Sequence, residues 1–351
     1  MTKPKPWTLF SLTCWLSLAV LVGCQPHTLE PYQTERFDLV AAPAAAVGYP
    51  MEVAEGRFTT SDGKSFPVSP EFLEGEWALS HSTYVSGDGT APAPDSLELR
   101  WFSYPEDKFY EGRFLLPQKR IYDLLKQGYW NVDKDRHETY DELTLCILPK
   151  GLVVVWLSGQ NQVLVGRYQG QEIDFDFKQF NSGANRQRMI AQEQAKLPPA
   201  VQEQISSGTL SIQPWDSYLK TYPWKISFSQ PLKLYRSATS YFNGEIANYA
   251  PTRDQAPLNE ALLMASPKPA PKSMLLHVEA GYGRKRQLQV TAFDEAEILG
   301  AFQTLHAGSA ASPLELHFET DERATKARLF LKSGPQQVEL LKSAVEVSDA
   351  E

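Results

Sequence analysis

The chain has 351 residues, 34 basic and 42 acidic, and a net charge of −8. This acidic balance argues against nucleic acid as a partner, since nucleic acid rewards a basic face. It also argues against a polybasic grip on anionic lipid. The length allows one large or two ordinary domains.

The first 23 residues have the pattern of a secretory signal. Lys3 and Lys5 form a basic head, and an apolar run of roughly 16 residues follows over 7–22, shorter than a bilayer span. The run ends in Leu-Val-Gly-Cys at 21–24, which resembles the bacterial lipobox. We therefore predict a signal peptide over 1–23 and lipidation at Cys24. The alternatives are an ordinary signal peptide with an incidental cysteine, or an N-terminal anchor helix.

The lipobox resemblance also predicts where the protein works. Bacterial lipoproteins carry three acyl chains, and two or more chains anchor a protein firmly. Gln25 follows the cysteine, where an Asp would favour retention in the inner membrane. We expect attachment to the bacterial outer membrane, with the bilayer as a partner of the acyl anchor and the body in the periplasm.

Next comes a segment rich in proline and alanine, over 24–56, which we interpret as a lipidated tether. A β-rich main domain is predicted over 57–250. Cys146 lies in an apolar strand and is expected to be a buried, inert thiol. Because Cys14 leaves with the signal and Cys24 takes the lipid, no intramolecular disulfide is expected.

The main domain begins with a predicted hairpin. Alternation puts Leu97, Leu99 and Trp101 on one face of a strand over 96–102, and a second strand follows over 109–115. The periodicity then predicts a helix that opens at Leu116-Pro117 and closes at Gly128. Further elements are strands over 140–148, 152–157, 162–169, 223–228 and 232–242, and helices over 185–196 and after Pro199.

A proline- and alanine-rich linker is predicted over 251–272, followed by a small α+β domain over 273–347. The small domain reads as a β-β-α-β-β unit, with hairpins on either side of one helix. Asp294 and Glu297 have the spacing of a capping box at the start of that helix. The predicted fold class is α+β, with a β-rich antiparallel main domain and short helices.

Motifs of the common catalytic classes are absent from the sequence, which has no G-x-S-x-G, H-E-x-x-H, P-loop or C-x-x-C. The six histidines are scattered, with no spacing that predicts a metal site. Residues 131–135 loosely resemble a calcium loop but lack its glycine and final acid, so we interpret them as a solvated turn. We expect no catalytic residues, no metal, no cofactor and no enzymatic activity.

Aromatic residues crowd the main domain, and aromatics dominate both cores and binding hot spots. Trp101 and Phe109 alternate within strands and are assigned to the core. The turn between the two strands carries the candidate partner-binding residues, which are Tyr104, Glu106, Lys108 and Tyr110. The alternative for these four is a turn ion pair with aromatics that seed the core.

Several motifs over 77–250 resemble a proteobacterial lipoprotein family of unknown function. They are W-F-S-x-x-E-x-K-F-Y-x-G-x-F-x-L-P from Trp101, the segment over 148–159, V-G-R-Y-Q at 165–169 and Y-F-N-G-E at 241–245. Lys150 departs from the family's usual P-G-G, which puts the turn there in doubt. The resemblance implies an envelope lipoprotein without assigned catalysis.

Some lipoproteins of this kind are encoded beside type VI lipase effectors and act as immunity proteins. The resemblance therefore implies one function, a non-catalytic lipoprotein that binds a protein partner and blocks a secreted lipase. The alternative is an envelope lipoprotein with a structural or ligand-binding role and no toxin partner. An adjacent lipase gene would favour the first function, and a well-formed polar pocket the second or an enzyme.

Overall fold

We describe a computed structural model of the chain over residues 1–2, 29–81, 89–250, 258–308 and 312–350. The predicted signal peptide from Lys3 onward and the predicted lipidation site Cys24 lie outside the described residues. So do residues 251–257 of the predicted linker.

The described chain is rich in strands. The first twelve are β1 Arg36–Asp38, β2 Val40–Ala45, β3 Met51–Thr59, β4 Ser65–Pro67, β5 Phe72–Leu73, β6 Thr90–Pro92, β7 Ser96–Ser103, β8 Lys108–Leu115, β9 Tyr129–Asn131, β10 Arg136–Glu138, β11 Glu142–Ile147 and β12 Leu152–Ser158. The others are β13 Gln162–Gln169, β14 Gln171–Ile173, β15 Thr221–Phe228, β16 Lys233–Tyr241, β17 Ile246–Tyr249, β18 Ser266–Pro269, β19 Pro271–Ala280, β20 Arg284–Val290, β21 Leu314–Thr320, β22 Ala327–Ser333, β23 Gln336–Glu339 and β24 Glu346–Asp349.

The helices are short. They are α1 Pro31–Thr34, α2 Gln118–Gln127, α3 Phe177–Phe180, α4 Arg186–Gln194, α5 Pro199–Ser206, α6 Gln213–Tyr218 and α7 Glu295–Gly308. Single turns of 3₁₀ helix cover Pro149–Gly151 and Gly281–Gly283, and a π-turn covers Asn259–Leu263. Within the described ranges, no helix is long and apolar enough to span a membrane. The predicted α+β class with β dominance is confirmed.

Three larger sheets organise the described strands. The longest has the order β2-β11-β12-β13-β17-β16-β19-β20-β24. A second has the order β14-β8-β7-β3-β4, with β5 also paired to β3, and a third has the order β18-β15-β21-β22-β23. Pairing is antiparallel except for β2 with β11 and β15 with β21.

Two large apolar cores lie along the longest sheet. The first joins β11, β12 and β13 to the inner face of the second sheet, around side chains such as Trp101, Leu143 and Val155. The other joins β16, β19 and β20 to the third sheet and to α7, around Trp224, Leu276 and Phe302. Burying these apolar faces is the main source of stability.

The predicted hairpin is confirmed, with Ser96 paired to Leu115 and Ser103 to Lys108 at its two ends. The predicted face of Leu97, Leu99 and Trp101 is buried. Helix α2 follows and ends at Gln127, and the φ of 56° at the capping residue Gly128 suits glycine at a helix end.

The predicted tether over 24–56 is wrong for residues 31–56, which contain α1, β1, β2 and the start of β3. Strand β2 is buried and pairs in parallel with β11 from Val40 to Ala45. Its alanines fit there because small side chains allow close packing, and Pro43 is tolerated because β2 is an edge strand.

The predicted linker over 251–272 is also wrong for its described part. It contains the π-turn, β18 and the start of β19. Both prolines of β18, Pro267 and Pro269, lie on a sheet edge, where a missing N–H donor does no harm. Strand β19 pairs with β16, so the longest sheet continues from the predicted main domain into the predicted small domain.

After residue 270 the elements run β-β-α-β-β as predicted, but two further strands, β23 and β24, follow, and the two hairpins belong to different sheets. The capping box is half formed. Asp294 Oδ1 accepts a hydrogen bond from the Glu297 amide at 2.9 Å. The Glu297 carboxylate instead accepts from the Lys342 amide and the Ser343 hydroxyl, and so ties α7 to the C-terminal strands.

A tight turn after β16 is held by two buried side chains and one partly buried side chain from the preceding half of the chain. Trp156 Nε1 donates to the Asn243 carbonyl at 3.0 Å, and Gln162 Nε2 donates to the Gly244 carbonyl at 2.7 Å. Trp77 Nε1 donates to the Phe242 carbonyl at 2.7 Å. These bonds satisfy buried polar groups of both partners, so the turn over 242–244 is fixed in one position.

Gly244 should be irreplaceable in this turn. Its φ is +87°, and an added Cβ would lie 2.2 Å from Ala78 Cβ. We expect Gly244→Ala to lower the free energy of unfolding by about 3 kcal/mol through backbone strain and overpacking. Chemical denaturation would measure the change.

Gly300 is the matched control, because it lies in α7 with no atom within 4 Å of an added Cβ outside its own helix. Gly300→Ala should raise stability by about 0.5–1 kcal/mol. Equal effects of the two substitutions would contradict this account of the turn.

Candidate functional site

Three neighbouring strands each carry the motif Glu-x-Arg. It occurs at 55–57 in β3, at 98–100 in β7 and at 111–113 in β8, and the first and third copies both read Glu-Gly-Arg-Phe. The strands pair in antiparallel fashion, so each glutamate faces an arginine of the next strand. The repeated motif therefore builds two cross-strand rows of alternating charge, which we call the charge ladder.

The first row of the charge ladder is Glu55, Arg100 and Glu111. Arg100 Nη1 lies 3.4 Å from Glu55 Oε2, and Arg100 Nη2 lies 3.1 Å from Glu111 Oε2. The Arg100 guanidinium also lies over the Phe175 ring, 4.7 Å from its centroid. One arginine thus bridges two carboxylates and is held in place by an aromatic face.

The second row reverses the signs. Glu98 forms an ion pair with Arg57 and a second with Arg113, whose Nε lies 3.4 Å from Glu98 Oε1. Glu98 is the most covered of the three, and Arg113 is largely exposed. The row has an acidic centre and basic ends, whereas the first row has a basic centre and acidic ends.

Backbone features bring the two rows into register. The pairing of β3 with β7 shifts between Val53 and Glu55, and this bulge turns Glu55 to the outer face beside Arg100. Between the rows, Leu99 lies opposite Gly56 and Gly112. A Cβ on Gly56 would come 2.8 Å from Leu99 Cδ1, and a Cβ on Gly112 would come 2.2 Å from the Phe114 ring.

The charge ladder lines an open depression of about 450 Å³ on the outer face of this sheet. Its rim includes Gln169 and Gln171. Exposed ion pairs contribute only about 0–1 kcal/mol each, so six charges here add little to folding stability. An open face of patterned charge is suited to selecting a complementary partner surface.

One end of the same face is covered by an aromatic cluster. Phe102 and Phe109 of the hairpin pack against Phe177 and Phe180 of α3. Arg186 at the start of α4 lies over these rings and makes an ion pair with Asp107 at 2.7 Å. The assignment of Phe109 to a core therefore holds, although this core is separate from the one that contains Trp101.

Tyr104 and Tyr110, two of the candidate partner-binding residues, are buried. Tyr104 is 3% exposed and packs against Phe72 and Phe102. Its hydroxyl donates to Glu52, and burial together with this bond raises the pKa of Tyr104 above its usual range. Burial likewise raises the pKa of Tyr110. Neither ring offers a surface to a partner in this conformation, and both stabilise the hairpin.

Glu106 fastens the hairpin turn to the neighbouring 3₁₀ turn. Its carboxylate accepts from Ser103 Oγ at 2.8 Å, Tyr110 Oη at 3.0 Å and the Lys150 amide at 2.9 Å. Lys150 has a φ of 57°, so the turn in which it departs from the family's glycine adopts a left-handed conformation.

Lys108 is the most accessible of the four candidates. It is half-exposed, and its Nζ donates to Glu172 at 2.7 Å, which raises the pKa of the lysine. It lies beside an open depression that also exposes Asp107 and Asp174. Partner binding through Tyr104, Glu106, Lys108 and Tyr110 stays a prediction, and among them Lys108 is placed to make a direct contact.

A third depression, of about 300 Å³, lies between the longest and third sheets. It is lined by Tyr140, Tyr241, Tyr249, Glu245 and Lys268 among others. Lys268 is on the inner side of edge strand β18, because it pairs with buried Tyr222. An inward-facing lysine between prolines is a common protection of a sheet edge against further pairing.

Lys268 makes no ion pair within the described ranges. Its ammonium donates to the carbonyl oxygens of Trp224 and Met264 and to Ser266 Oγ, and lies 4.8 Å from the Trp224 ring centroid. Burial lowers the pKa of Lys268 to about 8. The lysine therefore loses its proton at a lower pH than an exposed lysine does.

The described residues assemble no recognised catalytic set. Ser227 Oγ lies 2.8 Å from His317 Nδ1, but Glu315 hydrogen-bonds to the serine and not to the histidine. An acid that orients the base, as in a catalytic triad, is not formed by these three side chains. No group of three possible metal ligands occurs in the described ranges.

Two smaller predictions concern single residues. Cys146 is fully buried, as predicted, and burial raises the pKa of its thiol to about 12. The segment predicted to be a solvated turn begins at Asn131, whose side-chain oxygen accepts from the amides of Asp133 and Lys134. This is a turn closed by its own asparagine.

The fold and site define a β-rich α+β protein with an open, charge-patterned sheet face. A family model described as "Protein of unknown function (DUF2931)" matches residues 26–212, which is more than half of the chain. The protein belongs to this family, and the predicted membership of a family of unknown function is confirmed at that level. Searches of curated proteins and of solved structures each gave no match.

The charge ladder was missed from the sequence, although a signal for it was present. The sequence contains Glu-x-Arg three times in these strands, and two of the copies extend to Glu-Gly-Arg-Phe. Glu55 fell inside the predicted tether and Arg57 at its boundary, so the strand that completes the ladder was not recognised. Its pairing with β7 joins residues about 40 positions apart, which local patterns do not specify.

The buried position of Tyr104 gives a testable expectation. Tyr104→Ala should lower the free energy of unfolding by about 3 kcal/mol, because it leaves a cavity and an unpaired Glu52. Lys108→Ala is the control from the same hairpin, and loss of an exposed ion pair should change stability by less than about 1 kcal/mol. Calorimetry would compare the two, and an unchanged melting temperature for Tyr104→Ala would mean that the ring is not part of the fold.

The lowered pKa of Lys268 predicts a pH dependence. Between about pH 8 and the usual lysine pKa of about 10.4, the unfolded chain binds more protons than the folded one, so stability rises with pH. Below pH 8 both states are protonated and the burial penalty is fully present. Lys268→Met should remove this rise, which denaturation at pH 7.5 and 9.5 would measure. Equal pH dependence in both proteins would show that Lys268 titrates normally.

Proposed function

We propose that this protein is a bacterial lipoprotein held in the outer membrane by acyl chains on Cys24, with its body in the periplasm. Support comes from Lys3 and Lys5, the apolar run over 7–22 and the Leu-Val-Gly-Cys ending. Gln25 after the cysteine supports the outer rather than the inner membrane. A permanent anchor keeps the folded body beside the bilayer.

In this proposal the protein acts by binding a protein partner and not by catalysis. The observation that carries this step is the charge ladder, an open sheet face with six ordered charges. Alternating signs in two opposed rows favour a partner with the complementary pattern, and because the six charges sum to zero they give no net attraction to a surface of uniform charge. Lys108 and Glu172 form an ion pair at the other end of the same sheet, but they share the face of Tyr110 and not that of the charge ladder.

A secreted lipase is the partner class we propose, so that the protein would act as an immunity protein. This choice rests on the resemblance to lipoproteins encoded beside type VI lipase effectors. An immunity protein anchored in the envelope would meet the lipase at its phospholipid substrate. Stoichiometric binding would then block access of the lipase to the bilayer.

A second candidate function is binding of a small ligand without a toxin partner. The depression lined by Tyr140, Tyr249 and Lys268 is the observation that favours it. Its volume of about 300 Å³ is at the lower end of ordinary ligand sites. Substitution of Lys268 would impair this function, whereas it would leave partner binding at the charge ladder intact.

Cys24→Ser tests the anchor. The full chain carrying this substitution should appear in the soluble periplasmic fraction, and it should incorporate no labelled fatty acid, because the acylated thiol is gone. Cys146→Ser is the control, since Cys146 is buried, and it should leave the protein in the outer-membrane fraction. A membrane-bound, unlabelled wild type would contradict lipidation.

Arg113→Glu tests the charge ladder as the binding surface. The wild type should capture a lipase in one-to-one ratio and inhibit it, and the reversed charge should weaken this binding by about tenfold or more, as like charges meet across the interface. Lys119→Glu is the matched control, because Lys119 is also an exposed basic residue in an ion pair.

Both variants of this pair should melt within a few degrees of the wild type, since exposed pairs contribute little to stability. Equal loss of binding in Arg113→Glu and Lys119→Glu would show that the charge ladder is not the binding surface. Capture of envelope proteins alone, with no lipase inhibited, would remove the immunity role.

A further inference from the structure

The hairpin between β19 and β20 ends in an unusual tip. Tyr282 lies between two glycines and is 94% exposed, which makes it the most exposed aromatic residue in the described ranges. Its φ is +64° and its ψ is 27°, a left-handed conformation that non-glycine residues seldom adopt. The ring is almost unpacked, so it contributes little to folding stability that would offset the backbone strain of the turn. We therefore infer that the tyrosine is retained for a contact with another molecule.

Two basic residues follow Gly283, the second of the two glycines. Arg284 and Lys285 are exposed, and neither forms an ion pair with another described residue. Lys285 Nζ lies 5.9 Å from the Tyr235 ring centroid. We call residues 281–285, which contain the exposed tyrosine and these two cations, the Tyr282 finger.

The neighbouring loop adds charges of both signs. Arg323 lies close by, since its carbonyl accepts from Arg286 Nε at 3.2 Å. Glu322 and Glu279 are the acidic neighbours, the latter opposite Lys285 in the strand ladder. Two further carboxylates are engaged locally, Asp321 by Thr325 and Asp349 by Arg286.

We propose that the Tyr282 finger rests on the surface of a bilayer that contains anionic phospholipid. Tyrosine is enriched at membrane interfaces because its ring is apolar and its hydroxyl is polar, and Arg284 and Lys285 would meet lipid phosphates. The inference rests on the proposed anchor, which keeps a bilayer permanently within reach. A contact of only three side chains is too weak to act alone but is effective at such high local concentration.

A bilayer suits these features better than a soluble polyanion. Nucleic acid binding needs many basic contacts, and the chain as a whole is acidic. The net charge of −8 argues against a broad basic surface that binds anionic lipid. The Tyr282 finger departs locally from this balance because it places two cations together at one exposed tip. A second contact would also orient the body, which attachment at one lipidated residue does not.

The test uses the full, lipidated chain reconstituted in vesicles of phosphatidylethanolamine with phosphatidylglycerol. Gly281→Cys places a fluorescent label beside Tyr282 without removing it, since an added Cβ there meets only the Glu322 carbonyl, at 3.6 Å. Gly183→Cys is the matched control at an open position within the region that the family model matches. Cys146 is buried and would not be labelled.

Nitroxide-labelled lipid headgroups should quench the label at 281 several times more than the label at 183. Removal of both charges by Arg284→Gln with Lys285→Gln, or omission of phosphatidylglycerol, should bring quenching at 281 down to the level at 183. Each basic side chain near an anionic bilayer contributes about 1 kcal/mol, so removal of each charge should lower the equilibrium constant for contact with the bilayer about fivefold. Tyr282→Ser should reduce quenching without a change in melting temperature.

Equal quenching at 281 and 183, on protein that floats with the vesicles, would overturn the finger while leaving the anchor intact. Protein that does not float would overturn the anchor and the finger together. A label at 281 that responds to DNA or polyphosphate without vesicles, and not to lipid, would assign the finger to a soluble polyanion and overturn the bilayer proposal.

Discussion

The contact of Trp156 and Gln162 with the turn over 242–244 is the constraint on which the described architecture depends. It joins the region matched by the family model to the strands that follow it, through hydrogen bonds between buried donors and backbone carbonyls. Position 244 has no room for a side chain, because an added Cβ would lie 2.2 Å from Ala78 Cβ. The turn therefore packs against Ala78 in a single arrangement. The strands that lead from it, β16 and β17, then carry the longest sheet into the C-terminal part, where the second core forms.

On the other side of the first core, the second sheet is left half open. Helices α3 and α4 cover only the aromatic end of its outer face, while the charge ladder occupies the rest. The glutamates and arginines of the repeated Glu-x-Arg motif pair with one another across the strands. The outer face is therefore polar and can stay in contact with solvent without exposing an apolar patch. A surface that costs little to keep open and is specific in its charge pattern is the physical basis of the proposed partner binding.

Local patterns predicted the elements whose information is local. The hairpin around residues 96–115, the helix capped by Gly128 and the helix after Asp294 follow from alternation, periodicity and capping within a few residues. The predictions were wrong where residues distant in the sequence determine strand pairing or burial. An alanine-rich segment became β2 because β11 pairs with it, and Tyr104 is buried because Phe72 and α4 cover it. Strand register across β3, β7 and β8, and thus the charge ladder, is set by tertiary pairing.

The central claim is that the charge ladder is a partner-binding surface, and cross-linking in living cells tests it most directly. A photoreactive phenylalanine analogue would replace Gln171, which is exposed at the rim of the depression, or Gln303, which is exposed on α7. We predict one discrete protein adduct from position 171, identifiable by mass spectrometry as a lipase, and none from position 303. No adduct at 171, or the same adducts at both positions, would contradict the account.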